Sequence, residues 1–213
     1  MHLARFVSTR GAALATLLSL LLVLTSASSA SAKVFASQKQ ALAEAFPDAT
    51  RIERETHLLR REDLGRIEAI YGRELESRIV VLHTAWRDTE LIGYAHIDVH
   101  TVRTQPEAFL IVLAPGGAVR SVRILAFHEP LDYLPTDSWY AQLVGKTRED
   151  ALRVGHDIHG VVGATLSARA AADGVRRMLA YWKVLLQPEV DRPDPADAPR
   201  TARSRAEDAE QGS

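Results

Sequence analysis

The chain of 213 residues has 46% hydrophobic and 25% charged residues, no Cys and a formal charge of −1, which is ordinary globular composition. A near-neutral balance offers no positive field to collect phosphates and sets nucleic acid aside as a partner. Without Cys there are no disulfides, thiolate zinc sites, Cys-ligated iron–sulfur clusters or covalent c-type haem, so any redox role needs an organic cofactor or His ligation.

The first 32 residues read as a signal peptide. Arg5 and Arg10 supply a basic start, Ala12 to Leu24 is an apolar run, and Ala30 and Ala32 satisfy the A-x-A pattern, predicting cleavage after Ala32 and a periplasmic domain. The alternative is an uncleaved membrane anchor, but the run is short against the ~20 residues of a span. At the other end, residues 188–213 are rich in Pro, Ala and charge, cannot offset their ordering entropy and read as a disordered tail. One ordered domain, 34–187, remains.

Inside it, SQKQALAEAF (37–46) reads as a short helix capped by Ser37 and stopped before Pro47. RIERETHLL is expected to be a strand and EDLGRIEAIYG a second helix ending at Gly72. Then the period changes. RIVVLHTAW (78–86), LIGYAHIDVHTV (91–102), AFLIVL (108–113) and AVRSVRILAF (118–127) are β-rich segments separated by turn formers, among them Pro115-Gly116-Gly117. They read as an antiparallel meander. In the last of them Val122, Ile124 and Ala126 alternate with Arg123, Leu125 and Phe127, so both faces are partly apolar and helices are expected to cover one. After LPTDSWYAQLVGK and TREDALRVG comes a long helix from about Ala164 to Leu186, where Val175, Met178, Leu179, Trp182, Leu185 and Leu186 form an apolar stripe to pack on the sheet. The fold class is therefore α+β, an antiparallel meander packed against helices in a single domain.

The most informative segment is HDIHGVVGATLSARAAADGVRR (156–177), where a Gly-containing loop runs straight into the long helix. Helix N-termini attract anions because the first N–H groups lack internal partners and carry the positive end of the macrodipole. Gly163 allows close backbone approach, Ala164 is small, and Thr165 and Ser167 bring hydroxyls to the first turn. Thr165 reads either as a helix N-cap or as a phosphate anchor.

These residues resemble exported FMN-binding domains related to the flavinylated subunits of sodium-pumping quinone reductases, Rnf complexes and the periplasmic domain of nitrous-oxide reductase maturation proteins. The family signature, Asp-x-x-Ser/Thr-Gly-Ala-Thr with a Ser/Thr just after, aligns with His159 to Ser167 and puts its FMN-carrying Thr on Thr165. A second block, DYLPTDSWYAQLVGKT (132–147), matches through Trp139, Gln142, Gly145 and Lys146, and the resemblance spans about residues 75–187. Two positions depart from the signature: His159 stands for Asp and Val162 for Ser/Thr, with Asp157 two residues before His159.

The resemblance implies a periplasmic FMN-binding electron carrier rather than a stand-alone enzyme, with FMN on Thr165 through a phosphoester. It implies Gly163, Ala164, Thr165 and Ser167 at the phosphate, Gln142, Gly145 and Lys146 nearby, and Glu129 of His128-Glu129-Pro130 beside the flavin ring. Its partners would be a periplasmic flavin transferase and redox proteins, membrane-bound ones among them. The alternative is an exported non-redox binding module that has lost flavinylation.

Independently of the resemblance, His96, Asp98 and His100 share one face of a strand, an arrangement read as a polar strand face rather than a metal site. His83, His128, His156 and His159 are scattered. No Ser-His-Asp order, P-loop, dinucleotide Gly fingerprint or HExxH is present.

Overall fold

A computed structural model describes residues 33–34, 37–102 and 104–187, all within one compact unit. Residues 1–32 and 188–213, expected to be a signal peptide and a disordered tail, lie outside the described residues. Strands β1 (Lys33–Val34), β2 (Arg51–Leu58), β3 (Ile79–Arg87), β4 (Glu90–Val102), β5 (Gln105–Leu113) and β6 (Val119–Phe127) form one sheet in the order β1-β6-β5-β4-β3-β2. Every pairing is antiparallel. The meander is thus as the alternation implied, with β1 added along β6.

Helix α1 (Gln38–Ala45) starts where expected: Ser37 Oγ accepts the Gln40 N–H at 3.2 Å. Helix α2 (Arg61–Tyr71) ends at Gly72, which is left-handed at φ 81. A four-residue α3 (Asp137–Tyr140) lies within the 132–147 block, and α4 (Thr165–Tyr181) closes the domain. The α-helix is shorter than the sequence pattern predicts. At Trp182 it widens into a π-turn over Trp182–Leu186, where the indole lies so close to Gly117 that a Cβ there would stand 2.6 Å from the ring.

Two cores sandwich the sheet. On one face Leu82, Tyr94, Phe109, Ile111, Val122 and Ile124 pack against Val175, Met178 and Leu179 of α4, with Ile67 of α2 and Trp139 of α3 alongside. On the other, Ala85, Ala95, Leu110, Val112 and Leu125 pack beneath Ala41 and Leu42 of α1. Helices therefore cover both faces. The simple alternation of β6 also fails at its end: Phe109 pairs with Ile124 while Ala108 pairs with Ala126, so Leu125 is the extra residue of a bulge. Phe127 consequently turns to the α4 face with Val122 and Ile124.

Candidate functional site

Helix α4 begins at Thr165, but Thr165 is not its cap. Ala164 occupies the N-cap position at φ −109, ψ 23 with no side-chain cap bond, and its carbonyl accepts the Ala168 N–H at 3.0 Å. Thr165 is the first helical residue; its Oγ1 donates to the Val161 carbonyl at 3.0 Å and is part-buried. Val162 and Gly163 are exposed, Val162 fully so at 102%. Gly163 is needed for its dihedral rather than for room, because at φ 86 a Cβ would meet only the Asp132 carbonyl oxygen, at 3.7 Å. The N–H groups of the first helical turn at Thr165, Leu166 and Ser167 have no intrahelical acceptor.

The 132–147 block holds this loop from beneath. Trp139 Nε1 donates to the His159 carbonyl at 2.7 Å, and Gln142 Oε1 accepts the His159 N–H at 2.8 Å. Gln142 is thus a loop anchor. Gly145, at φ 80, and Lys146 pair by backbone with Val119. The Lys146 ammonium sits 2.9 Å from Asp150 Oδ1 and 3.6 Å from Asp157 Oδ2, so two carboxylates already neutralise it. Asp157 accepts the backbone N–H groups of Leu152 and Arg153 at 2.8 and 2.7 Å. Desolvation pushes its carboxyl up, but these N–H groups and Lys146 win and hold it below the ordinary range. Asp157 shapes the 152–153 turn, in which Leu152 is left-handed at φ 50.

Two more expected site residues face elsewhere. Glu129 Oε1 accepts the N–H groups of Thr104 and Gln105, both at 3.1 Å, and so ties the β4–β5 connection rather than standing free in solvent. Ser167 is buried and its Oγ donates to Glu107 Oε1 at 2.8 Å, pointing into the core and away from the exposed loop.

Glu107 opens a buried polar network between α4 and the sheet. Asp98 Oδ1 accepts Arg177 Nε at 3.0 Å and a second, shorter bond from Arg177 Nη2. Its Oδ2 accepts the His100 Nδ1–H at 2.8 Å. His96 Nδ1–H donates to the Val81 carbonyl at 2.8 Å, since a carbonyl can only accept. Burial drives the Asp98 carboxyl up, yet His100, His96 and Arg177 hold it well below the carboxylate range. Glu107 goes the other way: desolvation raises it, against the Ser167 bond and the His100 charge. Its Oε2 and His100 Nε2, 3.8 Å apart, are both buried without a hydrogen-bond partner. The polar strand face is therefore not solvated; α4 covers it. Among the described residues no three His, Asp or Glu are grouped to hold a metal ion.

Above this network lies a cavity of about 750 Å³ between the 71–76 segment, the 152–154 segment and α4. Arg73, Arg153, Arg169, Arg176 and Arg177 line it, with His100 at the sheet side. Burial and Asp173 together push the Tyr71 phenol up to about 12; it donates to Asp173 Oδ2 at 2.5 Å.

Glu107, Asp173 and this arginine cluster are not among the residues that the sequence singles out. Glu107 had a usable signal, because it shares strand parity with Phe109, Ile111 and Leu113 and so had to face inward. For the arginines no local signal existed. No protein-family model matches the chain, and no curated protein matches it.

Proposed function

We propose that the chain is a periplasmic electron carrier that holds FMN through a phosphoester on Thr165. The observation that carries this reading is the Thr165 hydroxyl at the first residue of a 17-residue helix, next to an exposed loop and to first-turn N–H groups that have no intrahelical acceptor. When bound, the flavin supplies the electron transfer. The chain anchors the phosphate and keeps the cofactor with the protein. Ester formation uses the hydroxyl that now donates to the Val161 carbonyl, so that carbonyl must turn to water.

The support is selective. Thr165, Ala164 and Gly163 suit the phosphate, and Trp139 and Gln142 act at one remove by fixing the backbone of His159. Lys146 contributes no free charge, Ser167 and Glu129 have other partners, and the N–H groups with the helix dipole are left to balance the phosphate. The departures at His159 and Val162 leave the fold intact, since both side chains are exposed. The reading of an exported non-redox module draws instead on the arginine-lined cavity.

The test is intact mass after denaturation, on protein from a host co-expressing a periplasmic flavin transferase. Wild type should gain FMN less water, Thr165→Ser should keep the adduct and Thr165→Ala should lose it. An adduct that survives in Thr165→Ala, or no adduct even in His159→Asp with Val162→Ser, would overturn the reading.

A further inference from the structure

The cavity over α4 carries more positive charge than its own carboxylates answer. Of its five arginines, Arg177 is taken up by Asp98, while Arg73 and Arg176 both lean on the single carboxylate of Asp173. Arg153 and Arg169 have no carboxylate partner among the described residues. Glu74 and Glu76 stand exposed at the same cavity without an ion pair among the described residues, so they temper the field from the rim. Inside, Arg176 Nε and His100 Nε2 are buried donors or acceptors without a partner.

Grouping guanidinium ions round one cavity is costly in the absence of counter-charge, and buried nitrogens without hydrogen bonds add to that cost. A bound anion supplies the missing counter-charge. Guanidinium groups suit carboxylate and phosphate through paired, parallel N–H···O bonds. About 750 Å³ is in the range of sites for small organic ligands and far larger than one phosphate ion, which favours an organic anion over inorganic phosphate. The arginines also stand on three separate walls: Arg73 after α2, Arg153 on the loop shaped by Asp157, and Arg169 and Arg176 on α4.

We propose that this cavity is a binding site for a small organic dicarboxylate, one carboxylate engaged by Arg153 and the other by Arg169, with Arg176 able to turn from Asp173 toward it. This does not rest on the flavin reading. The site uses none of the residues assigned to the phosphate, although Arg169 stands one turn after Thr165 on α4 and makes the two sites neighbours.

Isothermal titration of flavin-free protein with glutarate, valerate and inorganic phosphate tests it. Glutarate should bind saturably with one site, and valerate and phosphate at least tenfold more weakly. Arg153→Gln with Arg169→Gln should weaken glutarate at least tenfold while the melting temperature holds, because both side chains are exposed and unpaired. Arg51→Gln with Arg54→Gln, an equal loss of charge on β2, should leave binding unchanged, and so should Thr165→Ala. Absence of saturable glutarate binding, equal affinity for phosphate, or undiminished binding in the double variant would overturn the proposal. Loss of flavin from Thr165→Ala with glutarate binding intact separates the two sites.

Discussion

Gly174→Ala is the substitution that most directly tests how α4 meets the sheet. Gly174 lies over Asp98, and a Cβ there would stand 2.8 Å from Asp98 Oδ2, 3.1 Å from its Cγ and 3.4 Å from Ile111 Cδ1. The carboxylate cannot swing aside, since Arg177 Nε and Nη2 hold one oxygen and His100 the other. In a helix interior Ala is favoured over Gly by about 1 kcal/mol. Against that, overpacking costs about 1–3 kcal/mol and loosening one charge-assisted bond about 1.5–3 kcal/mol. The net is a destabilisation of about 1.5–5 kcal/mol, or roughly 3–20 °C in Tm for a domain of this size. Gly65 in α2 is the control: it is exposed and nothing lies within 4 Å of its Cβ position, so Gly65→Ala should gain about 0.5–1 kcal/mol. Urea unfolding followed by far-UV circular dichroism measures both. A Gly174→Ala protein as stable as wild type would refute the close seating of Asp98 against the helix.

Three further outcomes follow from the polar network and the loop. Glu107 is raised by burial, so its contribution to stability is full below the ordinary Glu value of about 4.3 and falls as pH rises through its folded value. Glu107→Gln should therefore gain stability over wild type from pH 4 upward, and a stability difference that is flat with pH would disprove the assignment. Asp157 has the opposite sign, being held low. Asp157→Asn should cost about 1–2 kcal/mol at neutral pH, with the cost fading as pH falls below the carboxylate range; unfolding at two pH values checks this. Trp139→Phe removes the 2.7 Å bond to the His159 carbonyl and should speed amide hydrogen exchange in 157–163 well beyond any change in the sheet.

Short-range chemistry left clear marks on this chain. Ser37 capping α1, Gly72 ending α2, the two-residue alternation of β3 to β6 and the apolar stripe of α4 all act within a few residues, so the helices, the meander and the α+β class were legible. Thr165 at the start of α4 was legible for the same reason. The bulge at Leu125 was not, because it is a property of the β5–β6 pair, and it moved Phe127 to the other face. The long-range polar pairings were hidden too. Ser167 meets Glu107 across 60 positions, Arg177 meets Asp98 across 79 and Tyr71 meets Asp173 across 102. Which polar side chains are engaged and which remain free to bind is settled when α4 crosses the sheet and buries them, since only burial forces each to find a partner. The same crossing gathers arginines from three separate segments round one cavity, a juxtaposition that no local pattern encodes.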